Sequence, residues 1–126
     1  MSDIERFANA FTGLELAYLR RQDNATGSKN SGKVDSRYSI VRETPTLQVF
    51  ADHLSEGSAG IGIVPIREDG TCLWGCIDID ESPIDLPAIQ KRLQEYKLPF
   101  IVSRSKSGGA HLFLFMEEAV DASLMR

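Results

Sequence analysis

Apolar and polar positions alternate along this chain with two different periods, and the change of period marks out its elements. Phe7, Phe11, Leu14 and Tyr18 recur at helical spacing behind Ser2 and Glu5, a capping-box pair, and predict a helix over residues 2–22. Gly13 weakens that helix. Thr44-Pro45 reads as an N-cap with proline in the first turn, followed by an apolar face of Leu47, Phe50 and Leu54 up to Gly57. The pattern then tightens. Residues 60–66 predict a strand, Arg67-Glu68-Asp69-Gly70 a turn, and residues 72–80 a second strand paired with the first as a hairpin. Ser82-Pro83 opens a third helix, with Asp85 favourable near its N-terminus and Leu86, Ile89, Leu93 and Tyr96 facing the core. Lys97-Leu98-Pro99 closes it. Strands over 100–104 and 110–116 form a second hairpin around a Ser/Gly loop.

The expected fold class is α+β: two N-terminal helices, then β-β-α-β-β with helices on one face of a largely antiparallel sheet. The expected division is an N-terminal helical region over 1–57, with a mobile polar loop over 23–37, and a sheet-bearing region over 58–126. Gly27 to Lys33 fits part of a phosphate-binding loop, but Val34 stands where a hydroxyl should hold magnesium, and a helix rather than a strand precedes it. That match is set aside; Lys29 and Lys33 remain as residues able to touch phosphates.

Composition narrows the class. With 126 residues, 42% hydrophobic and 25% charged, the chain matches one globular domain or part of a larger one. No apolar run reaches the roughly 20 residues a bilayer requires, and the N-terminus has no basic, then apolar, leader, so the expected location is cytoplasmic. Cys72 and Cys76 are expected to be buried reduced thiols. A net charge of −4 argues against attachment to nucleic acid by bulk charge alone, while leaving room for a local basic groove.

Two segments carry chemistry. In Trp74-Gly75-Cys76-Ile77-Asp78-Ile79-Asp80, strand alternation turns Leu73, Ile77 and Ile79 toward the helices and sets Asp78 and Asp80 side by side on the other face. Adjacent carboxylates repel unless a cation sits between them, and a hard divalent ion such as Mg2+ or Mn2+ takes oxygen ligands. Two such ions are the usual device for in-line displacement at phosphorus. Acid pairs of this kind also occur as solvated strand ends. The second segment runs from Ser103 to His111. Glycines 108 and 109 allow close backbone approach to an anion, successive amides can form an anion nest, Ser105 and Ser107 offer hydroxyls, Arg104 and Lys106 positive charge, and His111 a donor. A plain Ser/Gly hairpin turn has the same composition. The two segments together supply carboxylates for metal and donors for a triphosphate, the two needs of nucleotidyl transfer.

On Ile77-Asp78-Ile79-Asp80 and Ser105-Lys106-Ser107-Gly108-Gly109-Ala110-His111, the sequence resembles the archaeo-eukaryotic primase superfamily, in particular the primase domains of TOTE conflict systems and related phage or mobile-element primase-polymerases. Phe11-Thr12-Gly13, Tyr18, Arg20, His53-Leu54, residues 60–65 and Thr71-Cys72-Leu73-Trp74 extend the likeness. The resemblance implies an RRM-like palm and DNA primase or polymerase activity. Asp78 and Asp80 would be the catalytic metal ligands for Mg2+ or Mn2+. Ser105, Ser107 and His111 would bind the triphosphate of an NTP or dNTP, assisted by Arg104, Lys106 and Gly108. Implied partners are a single-stranded DNA or RNA template with primer, and a helicase or other replication domain. The family's third acidic motif lies well beyond His111; Glu117, Glu118 and Asp121 are too close to the preceding strand to supply it. The chain is therefore expected to be the N-terminal portion of the catalytic domain, inactive by itself. Two other classes remain open from the residues: a non-catalytic nucleotide- or single-strand-binding module using Trp74, Phe113 and Phe115, and a metal-dependent nuclease or replication-initiator fold.

Overall fold

The computed structural model describes residues 1–22, 37–56, 60–81 and 83–125. The loop over 23–36, with the phosphate-loop match, falls outside them, as do Gly57 and Ser82. The chain divides into two compact units, Met1–Thr71 and Cys72–Arg126.

In the first unit, helix α1 (Asp3–Ala10) begins at the expected capping box: Glu5 N–H donates to the Ser2 hydroxyl at 3.2 Å, and Ser2 N–H donates to the Glu5 carboxylate at 2.7 Å. It stops at Ala10, far short of residue 22. Leu14 N–H donates to the Val64 carbonyl at 2.9 Å, and a Cβ at Gly13 would collide with that same oxygen. This non-local backbone contact replaces helical bonding, and Tyr18 belongs instead to strand β1 (Tyr18–Gln22). Strand β2 (Arg37–Val41) pairs antiparallel with β1 from Tyr18↔Val41 to Gln22↔Arg37.

Helix α2 (Leu47–Leu54) is capped by Thr46, whose hydroxyl accepts from Val49 N–H, rather than by Thr44. Phe50 is buried; Leu47 and Leu54 lie half-open. The rings of Phe7 and Phe50 stand 6.2 Å apart and those of Phe7 and Phe11 4.8 Å, tying α1 to α2. The expected strand over 60–66 contracts to β3 (Ile61–Gly62), and it pairs with β1, giving a sheet ordered β2-β1-β3. The anticipated β3–β4 hairpin is thus corrected. The turn itself is present: Gly70, at φ 79, donates to Arg67 O, and Arg67 N–H donates to Thr71 O at 2.9 Å.

The second unit holds β4 (Thr71–Ile79), α3 (Leu86–Glu95), β5 (Ile101–Arg104) and β6 (Ala110–Asp121), with sheet order β4-β6-β5. Asp85 caps α3 by accepting from Ala88 N–H, and Pro87 sits in its first turn. Leu86, Ile89 and Leu93 are half-buried as expected, while Tyr96 is exposed. Lys97 takes a left-handed turn at φ 52 and Leu98 N–H closes back on Leu93 O, ending the helix. Strand β6 runs five residues past its expected end, through Glu117 and Glu118 to Asp121, whose carboxylate accepts from Ser123 N–H and starts the 3-10 turn Ala122–Met125. Among the described residues, no helix is long and apolar enough to cross a membrane.

Candidate active site

The faces of β4 differ from the expected assignment. Cys72 and Trp74 are buried, and alternation puts them on the same side as Asp78; Ile77, on the opposite side, is 51% exposed. Thus the acid-bearing face begins in the core and emerges into solvent only at its C-terminal end. Cys76 lies between them and is exposed, not buried. Its thiol is pushed up by desolvation and then by the Asp78 charge, which favours the protonated form.

Strands β4 and β6 approach each other in opposite senses: Cys72 Sγ reaches Val120 O at 3.6 Å, and Asp78 Oδ1 stands 3.6 Å from His111 Nε2. On β6, His111, Phe113 and Phe115 follow one another on that face, with ring centroids 5.9 and 6.1 Å apart. Trp74 lies 6.3 Å from Phe113. An aromatic row therefore leads along the sheet from the core to the Asp78–His111 pair and holds the imidazole in place. The β5–β6 register pairs Ser103 with His111 and Arg104 with Ala110. Paired residues share a face, so Ser103 flanks His111 while Arg104 starts from the opposite side of the sheet. The sequence motif included Ser103 without giving it a role; counting back through the hairpin from Ala110 is the signal that finds it.

The loop between β5 and β6 is a tight turn. Ser105 N–H donates to Gly109 O at 3.0 Å, and Gly108 N–H, at φ 90, donates to Ser105 O at 3.1 Å. Those two amides are committed inside the turn, which removes them from the anion nest the glycines imply. Ser105 is buried, with its hydroxyl 3.2 Å from that of Ser107, whereas Lys106 and Ser107 are exposed. Gly109 presses on β4: a Cβ there would collide with the Ile79 carbonyl oxygen. This contact fixes the loop beside the stretch that carries Asp78 and Asp80.

The structure thus brings together Asp78, His111 and the Gly109 end of the loop, with Asp80 exposed one alternation beyond Asp78. The donor chemistry suits a hard divalent cation, since both carboxylates are oxygen ligands on an open strand end. Among the described residues, no group of three His, Cys, Asp or Glu side chains stands close enough to hold an ion. Asp78 and Asp80 therefore form at most part of a ligand set.

The family model described as "TOTE conflict system, Archaeo-Eukaryotic Primase domain" matches residues 2–126. No curated protein matches the chain.

Proposed function

The chain belongs to the archaeo-eukaryotic primase domain family of the TOTE conflict system, and from that membership we propose that it performs template-directed nucleotidyl transfer from nucleoside triphosphates. The observation that carries this reading is the approach of its two chemical segments, Asp78 to His111 at 3.6 Å and Gly109 against Ile79. In this reading the β4-β6-β5 sheet with α3 is the RRM-like palm, and the template, primer and an accompanying helicase activity are its partners.

Asp78 and Asp80 would hold the divalent cations. When bound, such ions supply positive charge for the α-phosphate oxygens and the departing pyrophosphate. The chain's own groups do the positioning. The turn from Ser105 to Gly109, closed by its internal backbone bonds, presents the Lys106 ammonium and the Ser107 hydroxyl to the β- and γ-phosphates. His111, backed by Phe113 and with Nε2 3.6 Å from Asp78 Oδ1, would turn a ring N–H to a phosphate oxygen once the carboxylate is engaged by a cation. Ser103 at its side offers a further hydroxyl. Primer extension by the full-length protein tests the reading. Asp78→Asn is expected to lower incorporation at least about 100-fold with the circular dichroism spectrum unchanged; incorporation at the wild-type rate would sink it.

A further inference from the structure

We infer that Ile101 and Phe113 seat the sugar of the incoming nucleotide and so favour deoxyribonucleoside over ribonucleoside triphosphates; the inference rests on the transferase reading of this site. The β5–β6 register sets Ser103 opposite His111 and Ile101 opposite Phe113. Opposed residues share a face, and so do His111 and Phe113, two apart on β6. Ile101 therefore lies on the face that carries the Asp78–His111 pair. Phe113 is half-buried and held among the rings of His111, Phe115 and Trp74, at 5.9, 6.1 and 6.3 Å. Ile101 is the open member of the pair, 58% exposed. Ile77, the other exposed large apolar residue among the described residues of the β4-β6-β5 sheet, lies on the opposite face. The face with the acids and the imidazole thus keeps one bare apolar patch, and that patch adjoins His111.

The order of chemistry along the face identifies the occupant. Lys106, Ser107 and His111 offer donors at one end, with Asp78 beside His111. The Ile101–Phe113 pair follows two residues further along, roughly 7 Å of strand, and its side chains present only carbon and hydrogen. A nucleoside triphosphate has the same order: charged phosphates, then a sugar, then a base. In the other direction from His111, β6 ends at Ala110 and the chain enters the turn assigned to the phosphates. With the phosphates there, the next group along the strand is the sugar. The backbone bonds of paired strands run in the plane of the sheet and offer no partner above it. A deoxyribose brings a methylene to this seat. A ribose brings a 2′-hydroxyl that gives up water and meets carbon. An apolar surface rejects an added hydroxyl only modestly, so the result is a preference and not an exclusion.

The test is calorimetric titration of the full-length protein, in Mg2+, with three probes: tripolyphosphate, dATP and ATP. The two nucleotides share a base and differ only at the 2′ position. Wild-type protein is expected to bind dATP more tightly than ATP by about ten-fold, and by no more than about 100-fold. Ile101→Ser, which puts a hydroxyl at the seat, is expected to bring the dATP-to-ATP affinity ratio toward one while tripolyphosphate binds as before. Ile101→Val keeps the apolar surface and should keep the ratio. A purely structural role for Ile101 would move the urea midpoint and leave the ratio alone. ATP bound as tightly as dATP by the wild type, an unchanged ratio in Ile101→Ser, or an equal loss of tripolyphosphate in that variant would each overturn the proposal and leave the transferase reading standing. Failure of all three probes to bind would remove that reading, and the sugar seat with it.

Discussion

His111 Nε2 lies 3.6 Å from Asp78 Oδ1, within ion-pair range and slightly longer than a hydrogen bond. The two residues come from different strands and from the two segments that carry the chemistry. Asp78 is open to solvent and His111 less so, with side-chain exposures of 68% and 38%. Such an open pair adds little to stability. Its value is positional: the imidazole is backed by Phe113 and faces the acid end of β4.

His111→Ala should therefore leave the fold nearly untouched and act on the nucleotide. Loss of a hydrogen bond to a charged phosphate is worth about 1.5–3 kcal/mol, so the apparent KM for nucleotide should rise by roughly ten- to a hundred-fold. Steady-state primer extension at varied nucleotide concentration measures it. An unchanged KM would remove His111 from the triphosphate site.

Gly109→Ala addresses the contact between the loop and β4. The added methyl meets the Ile79 carbonyl, which is backbone and cannot swing away, so the loop must shift. A cost of about 1–3 kcal/mol is expected. Gly70 is the control: it also needs its freedom, at φ 79, but has open space around its missing Cβ. Gly70→Ala should cost only the left-handed conformation, about 1–2 kcal/mol, and leave nucleotide incorporation at the wild-type level. Urea midpoints and incorporation rates for both variants separate backbone strain from loop displacement. Normal incorporation by Gly109→Ala would show that the loop's position is unimportant.

Local signals were legible where a single segment decides the outcome. The Ser2–Glu5 capping box, the half-buried face of α3 and the β5–β6 hairpin around its Ser/Gly loop follow from spacing alone. The chemical segments were legible for the same reason, since each is contiguous. What failed depends on partners distant in sequence. Nothing near Gly13 announces the Val64 carbonyl that breaks the helical reading, and the pairing of β3 with β1 requires knowing that residues 18–22 form a strand. Where two capping residues stand close together, as Thr44 and Thr46 do, composition does not choose; the bond from Val49 N–H does. The face of β4 was misread because Ile77 and Ile79 outweighed Cys72 and Trp74, whose burial reflects the aromatic row on β6.

Ser105 and Ser107 look equivalent in sequence and differ in place. Ser105 is buried and its hydroxyl faces that of Ser107 inside the turn, while Ser107 is exposed. Ser105→Ala should lower stability by about 1 kcal/mol, seen as a lower urea midpoint. Ser107→Ala should move stability by less than about 0.5 kcal/mol and instead raise the nucleotide KM. The reverse pattern would mean that the buried hydroxyl is the ligand.

The turn before β4 predicts a pH dependence of stability. Thr71 donates to the Asp69 carboxylate twice, from its hydroxyl at 2.7 Å and its backbone N–H at 3.0 Å, and these bonds hold the Asp69 carboxyl below its ordinary value, with the Arg67 charge contributing less. A carboxylate held low when folded binds fewer protons than in the unfolded chain. Its stabilisation is fully present above the ordinary carboxylate value, near 4, and fades as pH falls through the lowered folded value. Asp69→Asn removes the charge at every pH. The urea midpoint of the wild type should therefore exceed that of Asp69→Asn at neutral pH, and the two should converge on acidification. A gap that persists unchanged below the folded value would show that the carboxylate's charge has no part in holding the turn.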